Sequence, residues 1–185
     1  FSLTTGGGSI SAAGSGALTL NNAGAVALSG SGARVLTLAG TSADANTLAA
    51  SLADSGGATA LIKSGSGKWI LSGNNTYSGA TTIANGMLQV GAGGASGSLG
   101  SGNVVDNGQL VFNRTGIVTN TGSITGTGSV TNDGPGTVIL AANNSYSGGT
   151  TINAGTVQVG NGGATGSLNA TAPVVNNGTF IFNST

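Results

Sequence analysis

The stretch from Gly67 to Val90 returns almost intact from Gly136 to Val159, and that recurrence limits what this chain can become. Trp69-Ile70-Leu71 comes back as Val138-Ile139-Leu140, Tyr77 as Tyr146, Ile83 as Ile152, and Leu88-Gln89-Val90 as Val157-Gln158-Val159, each pair 69 positions apart. Self-similarity at a fixed long period is the mark of a repeat architecture. The first copy runs over 58–112 and the second over 127–182. The offset slips to 70 near the end, where Val104-Val105-Asp106-Asn107-Gly108 matches Val174-Val175-Asn176-Asn177-Gly178. The extra residue falls in a Gly/Asn/Ala stretch after Leu168, where a loop absorbs insertions.

Within each copy the apolar residues come in short alternating runs closed by Gly, Ser or Asn. Examples are Ala60-Leu61-Ile62, Trp69-Ile70-Leu71, Thr81-Thr82-Ile83, Met87-Leu88-Gln89-Val90 and Gln109-Leu110-Val111-Phe112. Alternation with glycine punctuation predicts strands. Residues 1–40 show the same habit at Leu18-Thr19-Leu20, Val26-Ala27-Leu28 and Val35-Leu36-Thr37-Leu38. The segment 46–54 places Leu48 and Leu52 four apart, as on a helix face, but is too short to stand alone among strands and is read as strand. No strand is long enough to bury a face by itself, and no helix is present to cover a sheet. Stacked coils solve both problems, because each backbone N–H and C=O then pairs with the coil above or below at about 4.8 Å. The fold expected is therefore all-β, a right-handed parallel β-helix (β-solenoid), one continuous elongated segment over 1–185. Ile70, Leu88 and Leu110 are spaced near one coil of roughly 20 residues, giving about nine coils. Leu, Val and Ile should stack on their equivalents in a narrow core.

Composition narrows the function. The chain has 37 glycines, no cysteine, no histidine, four acids, four bases and zero net charge. Arg34, Lys63, Lys68 and Arg114 are scattered, so no basic stripe offers itself to a nucleic acid. Apolar runs of four or five residues are too short to cross a bilayer as a helix. Phe1 opens in mid-pattern, with no signal peptide, and the chain reads as an excised piece. Acid–base catalysis needs paired carboxylates; here there are only Asp44, Asp54, Asp106 and Asp133, and the last two adjoin Asn-Gly and Gly-Pro, as turn residues do. Nucleophilic triads lack their histidine. Gly91–Ser96 resembles a calcium-binding roll without its Asp. No cofactor, metal or catalytic residue is expected. With no histidine and so few charges, unfolding should hardly depend on pH between about 5 and 8.

The residues Lys63, Gly65, Gly67, Leu71, Gly73, Asn75, Tyr77, Gly79, Thr81, Ile83, Gly86 and Leu88 form a pattern. It recurs as Gly134, Gly136, Leu140, Asn144, Tyr146, Gly148, Thr150, Ile152, Gly155 and Val157. This pattern resembles the autotransporter-associated β-strand repeat, also called the passenger-associated transport repeat. The second copy departs by carrying Asn132 for Lys63 and Ala142 for Gly73, and neither change is expected to touch the strand core. Asn75 and Asn144 read as turn caps, Tyr77 and Tyr146 as corner packing, and Trp69 as a core filler.

The resemblance implies a passenger segment of a Gram-negative type V secreted protein, at the cell surface or released from it. Its implied partners are its own C-terminal outer-membrane β-barrel and then a host-surface protein or glycan, or like passenger molecules. The function it implies is a structural stalk and adhesive segment supporting secretion-coupled folding. The alternative is the stalk of a passenger whose enzymatic domain lies elsewhere.

Overall fold

The computed structural model describes residues 1–185 and contains strands but no helix. The chain winds as a triangular coil, and every ladder between strands is parallel. The first face stacks β2 (Gly8–Ser11), β5 (Arg34–Ala39), β7 (Thr59–Lys63), β9 (Thr81–Ile83), β11 (Val104–Asp106) and β14 (Ile124–Thr125). The second stacks β3 (Thr19–Leu20), β6 (Asn46–Leu48), β8 (Lys68–Leu71), β10 (Met87–Val90), β12 (Gln109–Phe112), β15 (Ser129–Asn132), β17 (Thr150–Ile152) and β19 (Val174–Asn176). The third begins with β1 (Ser2–Leu3) and β4 (Ala27–Leu28). It thins to the single bridges Ala25↔Ser51 and Asn74↔Ser98, then resumes as β13 (Ile117–Asn120), β16 (Thr137–Leu140), β18 (Thr156–Val159) and β20 (Thr179–Phe182). The longest face thus holds eight rungs, one short of the nine coils that a uniform coil length implied. The N-terminal coils account for the difference. Gly8 stands in register with Leu36 and Leu36 with Leu61, steps plainly wider than the one from Leu61 to Thr81.

Alternation sends every second side chain inward. The first-face strand Thr59–Lys63 buries Thr59, Leu61 and Lys63 and leaves Ala60 and Ile62 half-buried outside. A single apolar cluster of 27 buried residues runs through the rod and contains Leu71, Leu88, Leu140 and Val157. At about 25 cal/mol per Å² of apolar surface, each such Leu contributes roughly 2 kcal/mol. Segment 46–54 contributes the strand β6, as the short-strand reading anticipated.

The register differs from expectation in two ways. Leu88 stacks on Leu110, but beneath it lies Trp69 and not Ile70, whose partner is Gln89 on the outer side. Nor do repeat equivalents stack. From β7 the chain passes β8, Asn74, β9, β10, Ser98, β11, β12, β13 and β14 before reaching the equivalent strand β15, which is three full coils plus one face. Second-face register runs from Lys68 to Met87, then Gln109, then Ser129. Three coils therefore carry Lys68 only as far as Ser129, whereas its repeat equivalent is Thr137, one face further on. The second copy is consequently turned by one face. β9 stands on the first face and its equivalent β17 on the second; β10 stands on the second and β18 on the third. All of them still point into the shared core.

Corners set the tightest requirements. Gly86, between β9 and β10, has φ +71°, and a Cβ there would sit 2.5 Å from Gly67 O and 2.6 Å from Gly65 O. Gly155 repeats this with φ +64° and 2.3 Å to Gly136 O. Gly86→Ala therefore combines left-handed strain with a backbone clash and should lower the unfolding free energy by about 2–4 kcal/mol. Leu88→Asp, placing a charge in the core, should exceed it. Urea titration read by circular dichroism checks both, and an unchanged midpoint for either would contradict this packing.

Candidate functional site

The repeat residues do not converge on one cleft. They form two rung assemblies on different faces, each built alike. The Asn-Asn doublet opens each assembly. Asn74 Oδ1 accepts the Gly97 N–H at 2.9 Å, and Asn143 Oδ1 accepts that of Gly166 at 3.0 Å. The second asparagine acts as an extra peptide group between three coils. Asn75 Oδ1 accepts the Leu52 N–H at 2.7 Å from below, and its Nδ2 donates to Ser98 O above at 2.6 Å. Asn144 does the same between Ile124 N (2.9 Å) and Ser167 O (3.1 Å). Both amides also donate to a carbonyl two residues back, Gly73 O or Ala142 O, a contact that the exchange of Gly73 for Ala142 preserves. Sequence reasoning read these asparagines as turn caps; they reach further, across rungs that lack a regular backbone ladder.

Tyr77 and Tyr146 are buried, and each hydroxyl lies within hydrogen-bond distance of the threonine four residues on, at 2.7 Å to Thr81 Oγ1 and 2.6 Å to Thr150 Oγ1. Burial pushes both phenols up, that of Tyr146 to about 12. Gly79 and Gly148 close the rung by donating N–H to Thr59 O and Gly128 O. Trp69 is 1 % exposed, and its Nε1 donates to Ala39 O at 2.9 Å. Leu71, Ile83, Leu88, Leu140, Ile152 and Val157 line the core, while Gly67 and Gly136 sit at corners against Ser42 O and Gly116 O.

The change of Lys63 to Asn132 lies in the interior, contrary to expectation. Lys63 is fully buried, and its Nζ donates to Ser64 O (3.0 Å), Gly65 O (2.7 Å) and Asn85 O (3.0 Å). Asn132 Nδ2 takes over the same office with Gly136 O (3.2 Å), Ala154 O (2.9 Å) and Thr156 O (3.2 Å), Ala154 being the equivalent of Asn85. Either side chain bonds corner carbonyls from inside the coil, and at Gly136 O the amide shares the acceptor with the Thr156 N–H. No carboxylate accompanies the ammonium, and burial lowers the Lys63 pKa to about 8. Burial likewise pushes Asp106 up to about 6. Two groups are thus shifted into or to the edge of the window from which histidine is absent, so a pH dependence is expected where composition suggested none. Both side chains lie inside because strand alternation turns Lys63 and Asp106 towards the core.

The four carboxylates lie apart, each occupied by N–H donors. Asp44 accepts from Gly16 N at 2.8 Å, Asp54 from Thr59 N at 2.7 Å, Asp106 from Gly108 N at 2.9 Å and Asp133 from Asn153 Nδ2 at 2.7 Å. Arg114 holds the loop 91–97 by donating to Gly97 O and to Ala95 O at 2.6 Å. The open grooves are of two kinds. Two lie at the N-terminal end against Phe1, and one lies at the C-terminal end against Phe180 and Phe182. A shallow, uncharged one lies on the flank, lined by Asn75, Thr76, Ser98, Ser101, Thr119 and Thr121 among others.

A coiled all-parallel rod whose recurrent side chains serve its own ladder is a repeat solenoid. Residues 61–90 and 130–159 match the passenger-associated-transport-repeat family, so the chain carries two such repeats. It is also similar to the adhesin BmaC autotransporter of Brucella suis biovar 1 (strain 1330), with 50% identity over 56 residues. That alignment takes in 30% of this chain and 2% of the adhesin's length. No solved structure matches the chain. Over these stretches the chain is thus similar to autotransporter passenger segments.

Two measurements test the site. Asn75→Ala should lower stability by about 2 kcal/mol, because Leu52 N–H and Ser98 C=O lose their partner, whereas Thr76→Ala should change little; equal effects would contradict the bridging role. Lys63 gives a pH signature. Its folded pKa, about 8, lies below its ordinary 10.5, so its burial opposes folding while both states are protonated, and that opposition fades as pH rises from 8 towards 10.5. Stability should climb between pH 8 and 9.5, and Lys63→Met should abolish the climb.

Proposed function

We propose that this segment is a non-enzymatic structural and adhesive stalk of a Gram-negative autotransporter passenger. In this reading it is anchored through the passenger's own C-terminal outer-membrane β-barrel and exposed at, or released from, the cell surface. One observation carries the reading: Asn75, Tyr77, Thr81 and their equivalents Asn144, Tyr146 and Thr150 bond within and between coils and leave no converging reactive groups. The repeat residues are thus structural. Their ladder supports folding coil by coil as the passenger emerges, since each new rung finds a ready template in the one before it. The uncharged Thr, Asn and Ser on the flanks suit a host-surface protein, a glycan or a like passenger without charge repulsion.

The relative's name supports the adhesive part, although the aligned stretch is a small fraction of that adhesin. The test is display of the full passenger with and without this segment. The reading expects a surface-exposed, protease-resistant rod whose loss reduces adherence to host cells or extracellular matrix several-fold. Asn75→Ala combined with Asn144→Ala should leave the barrel inserted while making the passenger protease-sensitive. Undiminished adherence after deletion, or turnover of a polysaccharide or peptide by the purified segment, would overturn it.

A further inference from the structure

We propose that Asp106 is a proton-responsive latch in the wall of the solenoid: protonated, it lets the rungs β11 and β14 close, and ionised, it loosens them. This goes beyond the stalk reading and does not rest on it.

Asp106 is the last residue of β11, points inward and is fully buried. Its Oδ1 accepts the Gly108 N–H at 2.9 Å, and the nearby Leu110 N–H also favours the ionised form, while its Oδ2 has no partner in hydrogen-bond geometry and no solvent contact. The next coil presses on it. Gly128 donates its N–H to Asp106 O, and a Cβ on Gly128 would lie 2.4 Å from the carboxyl carbon. A carboxylate in such a place has lost most of its hydration without gaining a counter-charge, and a buried unpaired ion favours neutralisation or local opening.

Two titratable groups face it. Beneath, in the same inward column of the first face, Ile83 separates it from Lys63, two rungs or roughly 10 Å away. That ammonium is committed to three backbone carbonyls and makes no ion pair with Asp106. Above lies Tyr146, whose phenol is raised by burial and, to a lesser extent, by the Asp106 charge itself. Tyr146 is therefore neutral throughout the range where the carboxyl titrates. The equivalent position in the second copy holds Asn176, whose Oδ1 accepts the Gly178 N–H at 3.1 Å. The turn thus needs only an acceptor oxygen, and the charge on Asp106 is additional to it.

The sign follows from burial. The folded carboxyl is raised from 3.8 to about 6, so the folded state holds its proton more tightly than the unfolded chain. Stability is fully present at low pH, declines as pH rises through the interval from 3.8 to about 6, and stays at the lower level above it. Acidification from pH 7 to 5 should therefore tighten the middle of the rod.

Hydrogen exchange and urea unfolding of the whole chain at pH 5 and 7, corrected for intrinsic exchange, test this. The wild-type chain should show protection of amides in 104–108 and 124–128 several-fold higher at pH 5, up to about tenfold, with a matching rise in unfolding midpoint. Asp106→Asn keeps the acceptor and removes the charge; it should hold the high protection at both pH values. Lys63→Met should retain the wild-type response between pH 5 and 7. If wild type and Asp106→Asn respond alike, or if Lys63→Met removes the response, the latch is not Asp106 and the proposal is overturned.

Discussion

The structure depends on one requirement: every strand must find backbone partners in the coil above and the coil below. A strand of three or four residues cannot supply its own, and an unpaired buried N–H or C=O costs about 1–3 kcal/mol. Where strands are regular, the parallel ladder meets the requirement, as from β8 through β10 to β12. Where the chain turns too sharply, side chains take over. Asn75 and Asn144 substitute an amide for a peptide unit, and Lys63 and Asn132 each collect three corner carbonyls. The recurrent polar residues are thereby explained by the same constraint as the apolar ones.

The turned second copy follows from this constraint as well. A coil is set by three faces and three corners, and its length varies as corner loops lengthen. The step from Lys68 to its register partner Met87 is short, and the step from Thr150 to Val174 is long. Because the ladders are parallel on every face and the core is shared, equivalent strands of the motif are accommodated on different faces. Trp69 on the second face and Val138 on the third illustrate the tolerance: the indole fills its level and donates to Ala39 O, while Val138 packs between Val118 and Val157. Whatever the flanks engage, the two copies present it in different directions around the rod.

Much of the fold was legible in the residues. Short alternation bounded by glycine located β5, β7, β8, β10 and β12 within a residue or two, and the long period implied stacked coils. The face assignment was not legible, because the same period fits three longer coils or three shorter ones plus a face, and nothing in the sequence marks how long a coil is. The polar interior was hidden for a different reason. Lys63 ends a strand before Ser-Gly, and Asp106 precedes Asn-Gly, contexts in which exposed residues are common. Only the alternation, which places Leu61 and Lys63 on one side and Val104 and Asp106 on one side, could have exposed them. The match to the passenger-associated transport repeat marks the segments that recur without indicating which face each occupies.

The central claim, that the repeat advances by three coils and one face, is tested most directly by cysteine cross-linking on the outer surface. Thr131 and Thr151 are register partners on adjacent rungs of the second face. Cysteines there should lie about 5 Å apart at Cα and oxidise readily to a disulfide. Thr82, the repeat equivalent of Thr151, lies on the first face, and a Thr82/Thr151 cysteine pair should stay reduced. Rapid closure of the Thr131/Thr151 pair with none at Thr82/Thr151 is the result this account predicts. Failure of the first pair to close in the folded chain would contradict it.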